Sequence, residues 1–200
     1  MAFIANTMFE TKVTNAVFDE TLNVAGKYQA SATDADCSAG LLCVRASLLP
    51  NEGYTSIYNT SIYNTNAYIF NAAAATDYDG IYACNPFQVQ EGQSQRGNVY
   101  KIGAETLGLG IPAGEVDTFT KIEFDNKSIY RFGAGNLSTA ISTNTFFTIA
   151  NGLLVPAASA PANAGTPYFK LIAAVTTTEG AYASMAAYDV MACRDVVVAS

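Results

Sequence analysis

The chain of 200 residues has no histidine and no tryptophan, and charged side chains make up only 14% of it. Without histidine there is no side chain that titrates near neutrality and no imidazole ligand for a metal. Ser–His–Asp and Cys–His catalysis are thereby excluded, as is every histidine-containing zinc site. Basic residues number ten, run singly from Lys12 to Arg194, and leave a net charge of −7. Nucleic-acid binding needs clustered Lys and Arg to displace counterions from phosphates, so no DNA or RNA partner is expected. No stretch reaches the ~18 apolar residues of a membrane span. "MAFIANTMFETK" has neither the basic start nor the apolar core of a signal peptide, so the chain is expected to fold in the cytosol.

Half of the residues are hydrophobic, and Ala, Thr, Asn and Ser take the place of charge. Such a surface offers little repulsion between copies, which suits a protein that sits against others. The length fits one domain, large enough to bury roughly 70% of its unfolded surface without a metal or disulfide. The four cysteines, at 37, 43, 84 and 193, have neither CxxC nor zinc-knuckle spacing and read as buried apolar thiols.

Thr7 and Glu10 have capping-box spacing, and Phe9, Val13 and Val17 recur at i, i+4 and i+8. That pattern predicts a helix within residues 7–24, ended at Gly26, with a strand as the alternative. From Lys27 onward the pattern is β-like. "AGLLCVRASLLP" and "AYIFNAAAATDYDGIYACNPF" read as strands, the latter as two around Asp77–Gly80. "TFTKIEFDNKSIYRFG" reads as a hairpin turning at Asp125-Asn126-Lys127. "NTFFTIANGLLVP" breaks at Asn151-Gly152, and "PYFKLIAAVTTT" and "YDVMACRDVVVA" supply the last strands. Residues 84–98 read as a loop or projecting hairpin, and 155–167 as a surface connector. The expected fold is mainly β, an antiparallel sandwich or barrel with a short N-terminal helix or arm. Residues 1–26 form that arm and 27–200 a single β-rich domain.

Chemistry-bearing motifs are weak. The close pairs Asp34/Asp36, Asp77/Asp79, Glu115/Asp117 and Glu123/Asp125 could in principle serve a glycosidase, but read better as solvated turn residues. "DYDG" begins like a calcium loop and lacks the rest. "GLGIPAG" and "GAGN" fit neither a P-loop nor a dinucleotide fingerprint and read as turns and kinks. The Asn-X-Ser triplets at Asn59, Asn126 and Asn136 read as accidental. No catalytic residue, cofactor or metal is expected, and the chain reads as a non-enzyme.

TSIYN occurs twice in tandem over residues 55–64, followed by the looser TNAYI at 65–69. Two exact copies are too few for a solenoid. A period of five matches neither strand nor helix, so a turn or bulge is expected at Asn59-Thr60 or Asn64-Thr65. Tyr54, Tyr58, Tyr63 and Tyr68 concentrate amphipathic aromatic area of the kind interfaces use.

The "MAFIANTMFETKV" start, the Ala/Thr/Asn/Gly-rich β body and "GLLVPAASAPANAGTPYF" together resemble small structural proteins of tailed-bacteriophage virions. The chain looks most like the head-decoration (cement) proteins. The resemblance implies a non-enzymatic homo-oligomer, assembled into a virion in the host cytoplasm. Such a protein binds the outside of the capsid, with the major capsid protein or another virion protein as partner. On that reading Phe3, Ile4, Met8 and Phe9 would anchor an arm on neighbouring subunits, and the four tyrosines would form a second contact. A tail-tube subunit is the nearest competitor. A carbohydrate- or receptor-binding β-module using Tyr54–Tyr68 and residues 84–98 is the alternative from another class.

Overall fold

A computed structural model describes residues 3–13, 23–50, 63–86, 91–93, 99–101, 110–177 and 185–195. In chain order the strands are β1 (Phe9–Val13), β2 (Asn23–Ala30), β3 (Thr33–Asp34), β4 (Cys37–Ser38), β5 (Leu42–Pro50) and β6 (Tyr63–Ala72). There follow β7 (Ile81–Cys84), β8 (Glu91–Gln93), β9 (Val99–Lys101), β10 (Gly110–Ile111) and β11 (Asp117–Lys121). The last are β12 (Ile129–Gly133), β13 (Phe146–Ala150), β14 (Leu153–Ala157), β15 (Pro167–Thr177) and β16 (Met185–Arg194). Among the described residues the only helical element is a 3-10 turn at Ala134–Asn136.

The expected mainly-β architecture is what forms. An antiparallel six-stranded sheet, in the order β1-β12-β16-β15-β13-β14, packs on a second sheet, β11-β7-β5-β6-β2-β3. In the second sheet β11 also pairs with β2, so β2, β6, β5, β7 and β11 close into a ring. The β2–β6 contact in that ring is parallel. The fold is thus a sandwich in which one layer is a small closed barrel.

Two apolar clusters follow from this arrangement. Between the layers, Leu42, Ile81 and Ala83 of the ring meet Tyr130, Phe132, Phe147, Leu154, Phe169 and Val190. Inside the ring, Phe70 stacks on Phe119 with centroids 4.0 Å apart, beside Cys37, Cys43, Tyr82 and Cys84. Strand β7, "IYAC", is buried at every position because its two faces serve the two clusters. Its unbroken apolar run is the sequence mark of that double duty.

Three expectations are corrected. First, no helix begins at Thr7: Phe9–Val13 is strand β1, paired with β12. Spacing i, i+4 falls on one side of a regular strand as well as of a helix, so the pattern did not discriminate. Thr7 donates its hydroxyl back to Ile4 O instead of capping a helix, and Glu10 pairs with Lys12. Residues 14–22, with Val17, lie outside the described residues.

Second, Gly26 is not a break. It lies inside β2, where a Cβ would come within 2.5 Å of Tyr68 O and of the Phe70 ring. The residues before Lys27 therefore contribute strands to both sheets.

Third, β11 and β12 do not form a hairpin. β11 pairs with β7 and β2, whereas β12 pairs with β1 and β16, so the segment crosses from one layer to the other. The turn chemistry was read correctly: Asp125 Oδ1 accepts from the N–H groups of Lys127 and Ser128, and Asn126 has φ of 61°. The Asn126 side chain bonds to the Arg194 backbone, which holds the corner to β16. By contrast the expected break at Asn151-Gly152, both at positive φ, is the turn of a hairpin between β13 and β14. β8 pairs with β9 as a separate ribbon, in keeping with a projecting hairpin. The first three residues of the expected 155–167 connector belong to β14, which runs Leu153–Ala157.

Candidate interaction site

The N-terminal segment is held by a built seat. Asn136, fully buried, accepts from the N–H groups of Met8 and Gly133 through Oδ1, each at 3.0 Å, and donates from Nδ2 to Ala39 O at 2.7 Å. One side chain thus ties the segment to both layers. Gly135 N–H donates to Asn6 O at 2.8 Å, and a Cβ on Gly135 would lie 2.0 Å from Ala5 O. The "GAGN" glycines are therefore there for close backbone approach. Burial of Asn136 also removes it as a glycosylation acceptor.

This seat changes the roles of the anchors expected for a partner. Met8 is buried, and Phe9 stacks on Tyr130 and meets Phe132 edge-on, with centroids 5.8 and 5.4 Å away. Met8 is thus committed inside the molecule, and Phe9, half-buried, packs one face against the core. Phe3 is half-buried and Ile4 exposed, with Ile4 N–H donating to Ser38 Oγ.

Of the four tyrosines, Tyr54 and Tyr58 lie outside the described residues. Tyr63 opens β6 opposite Pro50, and Tyr68 is half-buried with the Arg45 guanidinium 4.5 Å above its ring. The pairing of β5 with β6 shifts register between Asn64 and Tyr68, at one of the two places where the five-residue period demanded an irregularity. The structure does not bring these tyrosines together with Phe3 and Ile4 in any described contact.

Most carboxylates of the close pairs have partners within the fold. Asp34 bonds Gln29 and Lys27, and those bonds, the Gln29 one foremost, hold its carboxyl below the ordinary value. Asp36 accepts from Ala113 N–H, Asp77 from Ala74 N–H and Asp117 from Thr118 N–H. Asp79 pairs with Arg194, and Glu123 with Lys121. Among the described residues no three His, Cys, Asp or Glu side chains are grouped to hold a metal.

All four cysteines are free and buried. Burial, aided by hydrogen bonding to Cys43 and Cys84, holds the Cys37 thiol well above its ordinary 9.0, and burial raises Cys84 as well. Burial, then the neighbouring Cys43 and Cys37, pushes Tyr28 up to about 12. In the unfolded chain these groups lose protons near their ordinary values of 9.0 and 10.0, whereas the folded protein retains them. Their contribution to stability is whole below that range and is lost as pH rises through it. The melting temperature should accordingly be flat up to about pH 8 and fall progressively above about pH 9. A melting temperature still unchanged at about pH 11 would contradict the buried-thiol arrangement.

What sequence reasoning missed is the outer face of the six-stranded sheet. Ile129, Met191, Lys170, Phe146 and Ala157 stand in one register row across five strands. Their neighbours Tyr130, Val190, Phe169 and Phe147 point into the core, so alternation turns this row outward. Ile129, Met191 and Phe146 are only half-buried there, and Lys170 is exposed. In the next row Arg131 grips Asp189 through two hydrogen bonds, at 2.6 and 2.8 Å, which sets those charges against each other. The signal was present as alternation in "SIYRFG" and "YDVMACR", but its meaning required knowing which strands adjoin.

Comparison of the chain with protein-family models, curated proteins and solved structures returned no match.

Proposed function

We propose that the protein is a non-enzymatic structural component of a tailed-phage virion that binds the outside of the assembled capsid and braces capsomer contacts. The observation that carries this reading is the outer row Ile129–Met191–Phe146, apolar, part-exposed and interrupted by one cation. Such a row crosses five strands on the outer face of a sheet, and it suits a surface contact better than a pocket for a small substrate. The virion resemblance of the sequence supplies the partner, a capsid protein. The sparse surface charge adds support, because close packing of many copies on a shell is then weakly opposed.

The test is co-sedimentation with shells assembled from the accompanying major capsid protein, with Met191→Glu as the probe. Met191 lies beside Lys170 in register, so the new carboxylate has a cation at hand and folding should be retained. Binding should weaken at least about tenfold, equivalent to ~1.4 kcal/mol, with the melting temperature unchanged. Undiminished binding by Met191→Glu would remove this face from the interface.

A further inference from the structure

Strand edges are templates for pairing with other chains, and this fold blunts nearly all of its described ones. Closure of the ring covers most of the edges of its five strands. β5 runs on past its β7 partner beyond Val44, but that stretch carries Arg45 and ends in Pro50. The appended β3 is two residues long with Asp34 in it. β14 contains Pro156, and the Leu137–Ser138 backbone lies along it, with Ser138 N–H donating to Leu154 O at 2.8 Å. β1 is five residues long and carries Glu10 and Lys12.

β15 is the exception. β13 pairs with it only at Lys170 and Phe169, and a last bond runs from Leu171 N–H to Thr145 O. β16 continues alongside as far as Thr177. On the other side, Ile172–Thr176 has no strand partner among the described residues. Its sequence, "IAAVT", holds no charge, proline or glycine. Ile172, at the bulge where β13 departs, is 49% exposed, the highest value among the exposed large hydrophobics. Ala174 and Thr176 are exposed as well. Past the bulge the β15–β16 register is regular, so the kink shields nothing beyond Ala173.

We infer that Ile172–Thr176 is a self-pairing edge, joining antiparallel to the same stretch of a second copy about a two-fold axis at Ala174. The occupant follows from self-complementarity. In that register Ala174 faces Ala174 and Ile172 faces Thr176, so uncharged side chains meet throughout. Each copy carries a net charge of −7, yet none of it lies on the seam. A second copy therefore approaches without like charges in contact. The six-stranded sheets of two copies become continuous and present their outer rows together. This deepens the structural reading above and rests on it for its purpose. The seam is short, so affinity should be micromolar, in the range of small interfaces.

Sedimentation velocity across about 5–500 µM tests the seam, a span that brackets micromolar affinity. The mass should rise from 21.1 kDa toward twice that value with concentration. Ala174→Lys alone and Ala174→Glu alone should each stay monomeric, because two like charges then face each other at the axis. An equimolar mixture of the two should regain the dimer. Melting curves check that both variants fold, and Ala174→Arg or Ala174→Asp is the substitute if either does not. A wild-type monomer throughout overturns the proposal. So does a lysine variant that still dimerises, or a mixture that stays monomeric. Shell sedimentation is scored separately. A monomer that coats shells sinks the seam alone, and a dimer that ignores shells sinks only the virion reading.

Discussion

Replacing Asn136 with alanine is expected to lower the stability of the protein by about 4 kcal/mol, a large share of what a domain of this size has. The side chain is fully buried and meets Met8 N–H, Gly133 N–H and Ala39 O. Removing it leaves Met8 N–H and Ala39 O without that partner in a site closed to water, at roughly 1–3 kcal/mol each. Gly133 N–H suffers less, since it also reaches Met8 O at 3.3 Å. A small cavity adds to the cost. Urea unfolding measures it as a drop in midpoint at constant slope. A loss below about 1 kcal/mol would show that the segment is not seated as described.

Deletion of residues 2–12 should cost more still, on the order of 5 kcal/mol or above. As a detachable arm, the segment could be removed with the body intact and partner binding lost. The seat reverses that expectation. The deletion takes away most of edge strand β1, the Met8 burial and the Phe9 contacts with Tyr130 and Phe132. It also leaves Asn136 without its Met8 donor. Calorimetry should record a melting temperature lowered by at least about 10 °C, by the usual scaling for a chain of this length. A truncated chain that melts like the full one would restore the arm.

These two effects mark where local sequence signals stop. The strands of β5, β7, β13, β15 and β16 were legible because apolar runs and alternation report how many faces are buried. The break at Asn151-Gly152 was legible because positive φ at two successive residues needs those residue types. The β11–β12 corner was not, since Asp125-Asn126-Lys127 specifies a reversal and says nothing about which sheet receives the returning strand. Closure of the ring by β2 and β11 joins residues 23–26 to 117–120, a pairing between distant segments that carries no local mark. Helix and strand remained indistinguishable at Phe9 and Val13 because spacing by four satisfies both periods.

The candidate surfaces divide in the same way. Aromatic and apolar content made Met8, Phe9 and Tyr68 conspicuous, yet the first is internal, the second packs against the core and the third sits under Arg45. Ile129, Met191 and Phe146 are unremarkable one by one and come together only through register. The β15 edge is a property of where β13 stops, which no residue in β15 announces.

If, as proposed, the molecule acts by lying on a larger assembly, sedimentation with capsids will show it. Wild-type protein mixed with assembled shells should pellet with them saturably, and electron microscopy of the pellet should place it on the outer surface. Folded protein that stays in the supernatant at every shell concentration would contradict the account.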